Sequence, residues 1–428
     1  MSKYQNFVFE SYQISEHTKE LSLKYSYDGT LNFTEVYKFD FGWKKDRDPQ
    51  ALDRACRLVF FLAGVSYFKA YLAPNIIVKA GDIDEKMSQF LSKTYREGLG
   101  EFFYINGLDP KTPIDFPVNA KSPEKLYVKS DGLLVGIGGG KDSLVSVELL
   151  RDKVEAMTWS LNHRPQLEPL VERIGLPHAF IERTWDTHLL ELNKQDALNG
   201  HIPISAIIAG VGTVVSILTG RQDNVVSNES SASEPNLIYQ GVEINHQYSK
   251  SLEFERDFQA CLEHLFGGSL RYYSILRPFS ELRIAELFAQ TGFDKYKDVF
   301  SSCNKAFTHF SDHIFWDGTC PKCAFVFLAL TPFVGKDKLQ NLFGGKNLLL
   351  DDKLEPTYRQ LLGIEGDKPL ECVGEIKESR SAMAMAKKIY PELDKYQFEL
   401  ATDYDFRATG PNLMPDNIAQ IILQASSI

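Results

Sequence analysis

Apolar and polar residues alternate with a period of two through residues 7–42, where Phe7, Phe9, Leu21, Leu23, Tyr25, Leu31, Phe33 and Val36 recur. Tyr27-Asp28-Gly29-Thr30 breaks the alternation with a turn signature, so a small antiparallel sheet is predicted. The period then changes. Residues 51–73 are apolar enough for a buried helix, and 84–105 carry Met87, Phe90, Leu91 and Tyr95 at helical spacing. Pro110, Pro113 and Pro117 follow, and a domain boundary is expected near residue 120.

Beyond that boundary the style differs. Residues 133–137 are short and wholly apolar, as a central parallel strand requires. They run into Gly138-Gly139-Gly140-Lys141-Asp142-Ser143 and then a helix to about residue 151. Further strands are predicted at 154–159, 178–181, 224–227 and 272–276, with helices at 201–219 and 280–290. Such alternation predicts an α/β fold with a doubly wound, mainly parallel sheet. The chain from about 335 is helix-rich, most clearly at 378–389 and 415–425. The expected organisation is an N-terminal α+β domain (1–120), a catalytic domain (121–335) and a helix-rich C-terminal part (336–428).

Composition narrows the class. Of 428 residues 43% are hydrophobic and 12% aromatic, which excludes a largely disordered chain. With 47 basic and 57 acidic residues the net charge is −10, and no long basic tract is present. A nucleic-acid partner is therefore not expected, although a local basic pocket for a small anion is compatible with that charge. No uncharged apolar stretch reaches the roughly 18 residues of a membrane span. The N-terminus lacks the regions of a signal peptide, so a cytoplasmic location is expected. The six cysteines are then expected to be thiols or metal ligands.

Candidate chemistry begins at the glycine cluster. A strand, a glycine loop and a helix start form a phosphate-binding geometry, because backbone N–H groups can approach the anion at a helix N-terminus. A Walker loop fails, since Gly140-Lys141 is followed by Asp142, and no dinucleotide fingerprint fits either. Three polar segments follow: residues 199–205 (NGHIPIS), 227–233 (SNESSAS) and 245–251 (NHQYSKS). With Arg277 they suit a large, polar, anionic ligand, with Asn199, Asn228, Glu229, Asn245, Lys250 and Arg277 as its candidate contacts. Capping, solvent-exposed turns and, for Arg277, a surface ion pair are the competing roles.

Cys320-Pro321-Lys322-Cys323 is a C-x-x-C knuckle, and Cys303 lies upstream with 16 residues between it and Cys320. Three thiolates and a fourth ligand make a tetrahedral zinc site, with Cys372, His309 and His313 as candidate fourth ligands. Buried thiols or a redox pair are the alternatives. Cys372, flanked by Glu371 and Val373-Gly374, is also a candidate general acid/base.

GGGKDS resembles the SGGxDS loop of the N-type ATP pyrophosphatases, with Gly138 where that family usually carries Ser. That resemblance implies a fold of that kind, ATP held by Gly138, Gly139, Gly140, Lys141, Asp142 and Ser143, and Mg²⁺ placed by Asp142. Read in order, GGGKDS (138–143), NGHIP (199–203), SNESSA (227–232), NHQYSKS (245–251), LRPFSEL (276–282), SSCN (301–304), CPKCAF (320–325) and KPLECVG (368–374) resemble the MurL family. The resemblance implies ATP- and Mg²⁺-dependent inversion of the terminal L-Glu of UDP-MurNAc-L-Ala-L-Glu through an adenylated carboxylate, in peptidoglycan biosynthesis. By position, the candidate proton carriers for that reaction are Cys303, Cys372, His201 and His246. Cys303 cannot serve both as carrier and as zinc ligand. Two other readings compete: a nucleobase-modifying synthetase resembling 7-cyano-7-deazaguanine synthase, and a non-catalytic nucleotide-binding module.

Overall fold

A computed structural model of the protein describes residues 2–307, 311–398 and 403–427. The chain is α/β. The strands among the described residues are β1 (Asn6–Ser15), β2 (Glu20–Tyr27), β3 (Leu31–Lys38), β4 (Asn75–Val78), β5 (Leu133–Gly136), β6 (Ala156–Leu161), β7 (His178–Thr184), β8 (Asp223–Val226), β9 (Leu237–Tyr239), β10 (Val242–Ile244) and β11 (Arg271–Ser274). Two compact units divide the chain, and each is discontinuous. The first takes Met1–Leu134, Ala179–Asn224 and Ile238–Tyr273; the second takes Val135–His178, Val225–Leu237 and Ser274–Ile428. In the first unit β7, β3, β2, β1 and β4 lie side by side in one sheet, while β9 and β10 form a separate pair.

In the first unit the predicted antiparallel meander forms, with Tyr25 opposite Phe33 across β2 and β3 and Phe7 opposite Tyr27 across β1 and β2. The period-two alternation sends Phe7, Phe9, Tyr25, Tyr27 and Phe33 to one buried face. Burying each such side chain contributes about 1.5–3 kcal/mol. The ring of Phe9 packs against Phe60 and Phe61 at 5.3 and 5.4 Å. Those rings lie on the helix Pro49–Ala63, which Asp48 caps by accepting from the Gln50 and Ala51 N–H groups. The helix expected over 51–73 divides at Gly64, where a Cβ would lie 2.5 Å from the Phe9 ring. Likewise 84–105 forms two helices, Glu85–Gly98 and Gly100–Ile105, parted at Leu99.

β3 also pairs antiparallel with β7, setting Tyr37 opposite Arg183. This seam contains a fully buried carboxylate. Glu35 accepts from Arg183 at 2.9 and 3.2 Å and from the Tyr37 hydroxyl at 2.5 Å. Arg183 further donates to Ser66 at 2.8 Å. The charge is tolerated because each oxygen has a donor.

The second unit is built around β6 and the loop that leaves β5. Val135, Ile137, Leu144, Val145 and Trp159 are buried there. Helices Lys141–Leu150, Glu281–Thr291, Pro321–Leu330 and Ile376–Ile389 supply further core residues. Two of the longer helices in this unit have no counterpart among the predicted elements. Arg164–Ile174 carries Pro169 in its interior, which masks a helical signal. Pro321–Leu330 is apolar almost all round, which leaves no helical period to detect. Among the described residues no helix is long and apolar enough to cross a membrane.

Candidate active site

In the second unit the glycine loop sits where the sequence places it, between β5 and the helix Lys141–Leu150. Gly139 takes φ +90°, a conformation that favours glycine, and a Cβ there would lie 2.5 Å from the Phe307 ring. A Cβ at Gly138 would meet nothing within 4 Å. The Ser301 N–H braces the loop by donating to the Gly139 carbonyl at 3.0 Å. Gly140 occupies the N-cap with no side chain over the first-turn amides, and the Ser143 hydroxyl donates back to its carbonyl at 3.2 Å.

Lys141 does not extend from this loop as a lone cation. It is buried and donates to the carboxylates of Asp142 and Glu281, which hold it protonated against the cost of burial. Oxygens of Asp142, Glu229 and Glu281 all lie within 4.8 Å of one another. Glu378 joins them by accepting from the Glu281 N–H at 2.8 Å and the Glu375 N–H at 2.6 Å. Burial pushes Glu378 up to about 7. Burial first, then the charges of Asp142 and Glu229, push Glu281 up against the pull of Lys141. Arg277 is buried and donates to the Glu229 carbonyl, so the surface ion-pair role is not what it plays. Asp142, Glu229 and Glu281 thus cluster at Lys141, with Glu378 bonded to the Glu281 backbone and Arg277 to that of Glu229. The donors are hard oxygens gathered within one coordination radius, so a divalent cation, by displacing protons from the raised carboxyls, fits the set. Asn228, on the same stretch as Glu229, accepts from Ser274 through its carbonyl at 2.6 Å.

The first unit holds a different cluster. His201 precedes the helix Ile204–Thr219, and His246 follows β10. Their rings lie 4.4 Å apart between centroids. Glu101, on Gly100–Ile105, hydrogen-bonds His246 Nδ1 and lies 3.9 Å from His201 Nδ1. Burial, followed by the charge of His246, lowers His201 to about 4, so it is a neutral imidazole at pH 7. Lys69 donates to Asn199 Oδ1 at 3.0 Å and to the Gly200 carbonyl at 2.7 Å, and burial lowers it to about 8. Asn199 thus fixes the backbone beside His201. Asn245 accepts from the Gln247 N–H at 2.7 Å beside His246. Lys250 ends the turn Tyr248–Lys250, and its charge adds to the depression of His201. A neutral imidazole next to an imidazole oriented by a carboxylate can move a proton at near-neutral pH.

The cysteines divide. Cys303, Cys320 and Cys323 converge, and the fourth group within 4.8 Å is Asp317, not Cys372 or His313. His309 lies outside the described residues. Cys372 is half-buried in a separate stretch, where Lys368 pairs with Glu234 at 2.9 Å and Glu371 accepts from Asn304 at 2.5 Å. Sequence reasoning missed Glu101, Lys69, Glu281, Glu378 and Asp317. Asp317 carried a signal, since D-G-T-C-P-K-C repeats a ligand type at every third position. Glu101 carried no such signal, being a single acid beside Phe102 and Phe103.

Comparison with known proteins agrees with these motifs. The MurL N-terminal domain model matches residues 1–275 and the MurL C-terminal domain model matches 299–398. The UDP-N-acetyl-alpha-D-muramoyl-L-alanyl-L-glutamate epimerase of Xanthomonas oryzae pv. oryzae (strain MAFF 311018) is 44% identical over 342 residues, covering 78% of this chain and 75% of that protein. The protein of the same name from Micromonospora sp. (strain ATCC 39149 / NRRL 15099 / SCC 1413) is 40% identical over 389 residues, 89% of this chain and 86% of its own. That from Salinispora tropica (strain ATCC BAA-916 / DSM 44818 / JCM 13857 / NBRC 105044 / CNB-440) is 39% identical, covering 89% of this chain and 84% of its own. The chain belongs to the MurL family.

Proposed function

We propose that this chain is an isomerase that inverts the terminal L-Glu of UDP-MurNAc-L-Ala-L-Glu to D-Glu, consuming ATP, in cytoplasmic peptidoglycan synthesis. The observation that carries this reading is the shared epimerase name of three relatives at 39–44% identity over most of their length. The N-type ATP pyrophosphatase-like loop supports it.

The chemistry explains why such a loop is useful. An α-hydrogen beside a free carboxylate is very weakly acidic, because its removal builds a second negative charge next to the first. ATP with Mg²⁺ would supply an adenylated α-carboxylate, which cancels the first charge and lets the second delocalise onto oxygen. Gly138, Gly139, Gly140 and the first-turn amides would hold phosphate oxygens, with Ser143 adding a hydroxyl. Asp142, Glu229 and Glu281 would hold the metal. Lys141 keeps Asp142 and Glu281 in place. His201, kept neutral at pH 7, has a ring nitrogen open to receive the α-proton, and His246, held by Glu101, would return one. Asn199, Asn245 and Lys250 would orient the substrate beside them, and Asn228 and Arg277 would serve the same end beside the carboxylates.

Incubation with UDP-MurNAc-L-Ala-L-Glu, ATP and Mg²⁺, followed by chiral analysis of the released glutamate, tests the reading. D-Glu with stoichiometric AMP is the expected result; L-Glu alone would overturn it. ATP–pyrophosphate exchange that is equal in wild type and Ser143→Ala would overturn the role given to the loop.

A further inference from the structure

We propose that Cys303, Asp317, Cys320 and Cys323 bind one zinc ion through three sulfurs and one oxygen, as a structural clasp behind the glycine loop. The inference stands on this cluster alone and does not depend on the epimerase reading.

The four side chains arrive from two stretches of chain. Cys303 follows Ser301-Ser302, while Asp317, Cys320 and Cys323 recur at every third position around the start of the helix Pro321–Leu330. One ligand atom from each lies within 4.8 Å of the others. A zinc tetrahedron with bonds of about 2.3 Å to sulfur and about 2.0 Å to oxygen needs ligand–ligand edges of roughly 3.5–3.8 Å, which fits inside that spread. Cys320 caps the helix, accepting the Cys323 N–H at 3.4 Å, in the manner of a C-x-x-C knuckle. Asp317 is already oriented as a ligand. One oxygen takes Lys305 at 2.5 Å and the Thr319 hydroxyl at 2.6 Å; the other accepts the Thr319 and Cys320 N–H groups at 3.0 and 3.3 Å and lies 3.1 Å from Cys323 Sγ. Partners of this kind fix ligating groups in metal sites. A redox role for the C-x-x-C pair would require neither Cys303 nor Asp317 at this spot.

The location gives the clasp a purpose. Ser301, two residues before Cys303, donates its N–H to the Gly139 carbonyl at 3.0 Å, and its hydroxyl accepts the Cys303 N–H at 3.0 Å. Ser302 and Phe307 occupy the space that Cβ atoms at Gly140 and Gly139 would need. Zinc would therefore pin the segment that shapes the glycine loop. It would also engage the Cys303 sulfur, which removes that residue from the proton carriers.

Metal analysis and zinc K-edge X-ray absorption on the purified full chain test the proposal without any substrate. One zinc per chain with a shell of three sulfurs and one oxygen is expected. Folded protein that binds no zinc when zinc is supplied in equimolar amount overturns it, as does a four-sulfur shell. Cys372→Ser should retain the zinc and its shell; loss of either would also overturn the assignment. Asp317→Ala should release zinc to a chromophoric chelator at least ten-fold faster than wild type, and an unchanged rate would remove Asp317 from the site.

Discussion

The two units carry polar centres of opposite character. The centre at the glycine loop is built from oxygen: Asp142, Glu229, Glu281 and Glu378 outnumber Lys141 and Arg277, and burial pushes Glu281 and Glu378 upward. The centre in the first unit is built from nitrogen: His201 and His246 share one carboxylate, Glu101, with Lys69 and Lys250 nearby in charge, and burial pushes His201 and Lys69 downward. The same desolvation produces both results, because it always disfavours the charged form. The difference teaches which task each can perform. An excess of hard, buried oxygens calls for a cation and suits phosphate chemistry. A neutral imidazole beside a carboxylate-held one suits proton transfer.

Separable chemistry is the strongest consequence. His246→Gln should lower epimerisation by about 10²–10⁴-fold, the range for losing a general acid or base, while substrate-dependent ATP–pyrophosphate exchange persists. Equal loss of both would collapse the distinction between the centres. The converse variant, Asp142→Asn, should reduce the exchange reaction itself by about 10²–10³-fold and raise the Mg²⁺ concentration needed. Exchange at the wild-type rate would take the metal role from Asp142.

The pH dependence of stability should run in opposite directions for the two centres. Glu378 has a folded value of about 7 against an ordinary 4.5, so its contribution is full below 4.5 and is lost as pH rises through about 7. His201 has a folded value of about 4 against 6.5, so its contribution is present above 6.5 and is lost as pH falls through about 4. Denaturant unfolding of Glu378→Gln and of His201→Asn against wild type should show slopes of opposite sign, each worth about 3 kcal/mol across its window. Slopes of the same sign would contradict the assignment. The smallest effect expected is that of Lys69→Met, which removes the donor to Asn199 and Gly200. Loss of these two hydrogen bonds, with about 1.5 kcal/mol of it felt in the transition state, should cost epimerisation roughly ten-fold with exchange preserved, as steady-state kinetics would report.

Local pattern made much of this legible. The meander announced itself through alternation, and the glycine loop through three consecutive glycines before Lys141-Asp142-Ser143. His201, His246, Glu229 and the cysteine knuckle stood out as polar or thiol groups where a plain turn needs none. What stayed hidden depends on chain separation or on burial. Glu101 meets His246 from 145 residues away, and Glu281 meets Lys141 from 140. No local spacing encodes such a meeting. Helix Leu252–Phe266 buries Phe254, Phe258 and Leu262 on one face, yet lies among segments that drew attention for their polar groups. Pro321–Leu330 failed for the opposite reason, being buried too completely to show a period.

The seam between β3 and β7 has a consequence during synthesis. Glu35 and Arg183 are 148 residues apart in the chain. At about 5–20 residues per second a ribosome needs roughly 7–30 s to deliver the second after the first. Through that interval the edge of β3 is unpaired, and it is an edge open to other chains. The unmatched Glu35 carboxylate then acts as a guard, since covering it without an arginine would strand a buried charge.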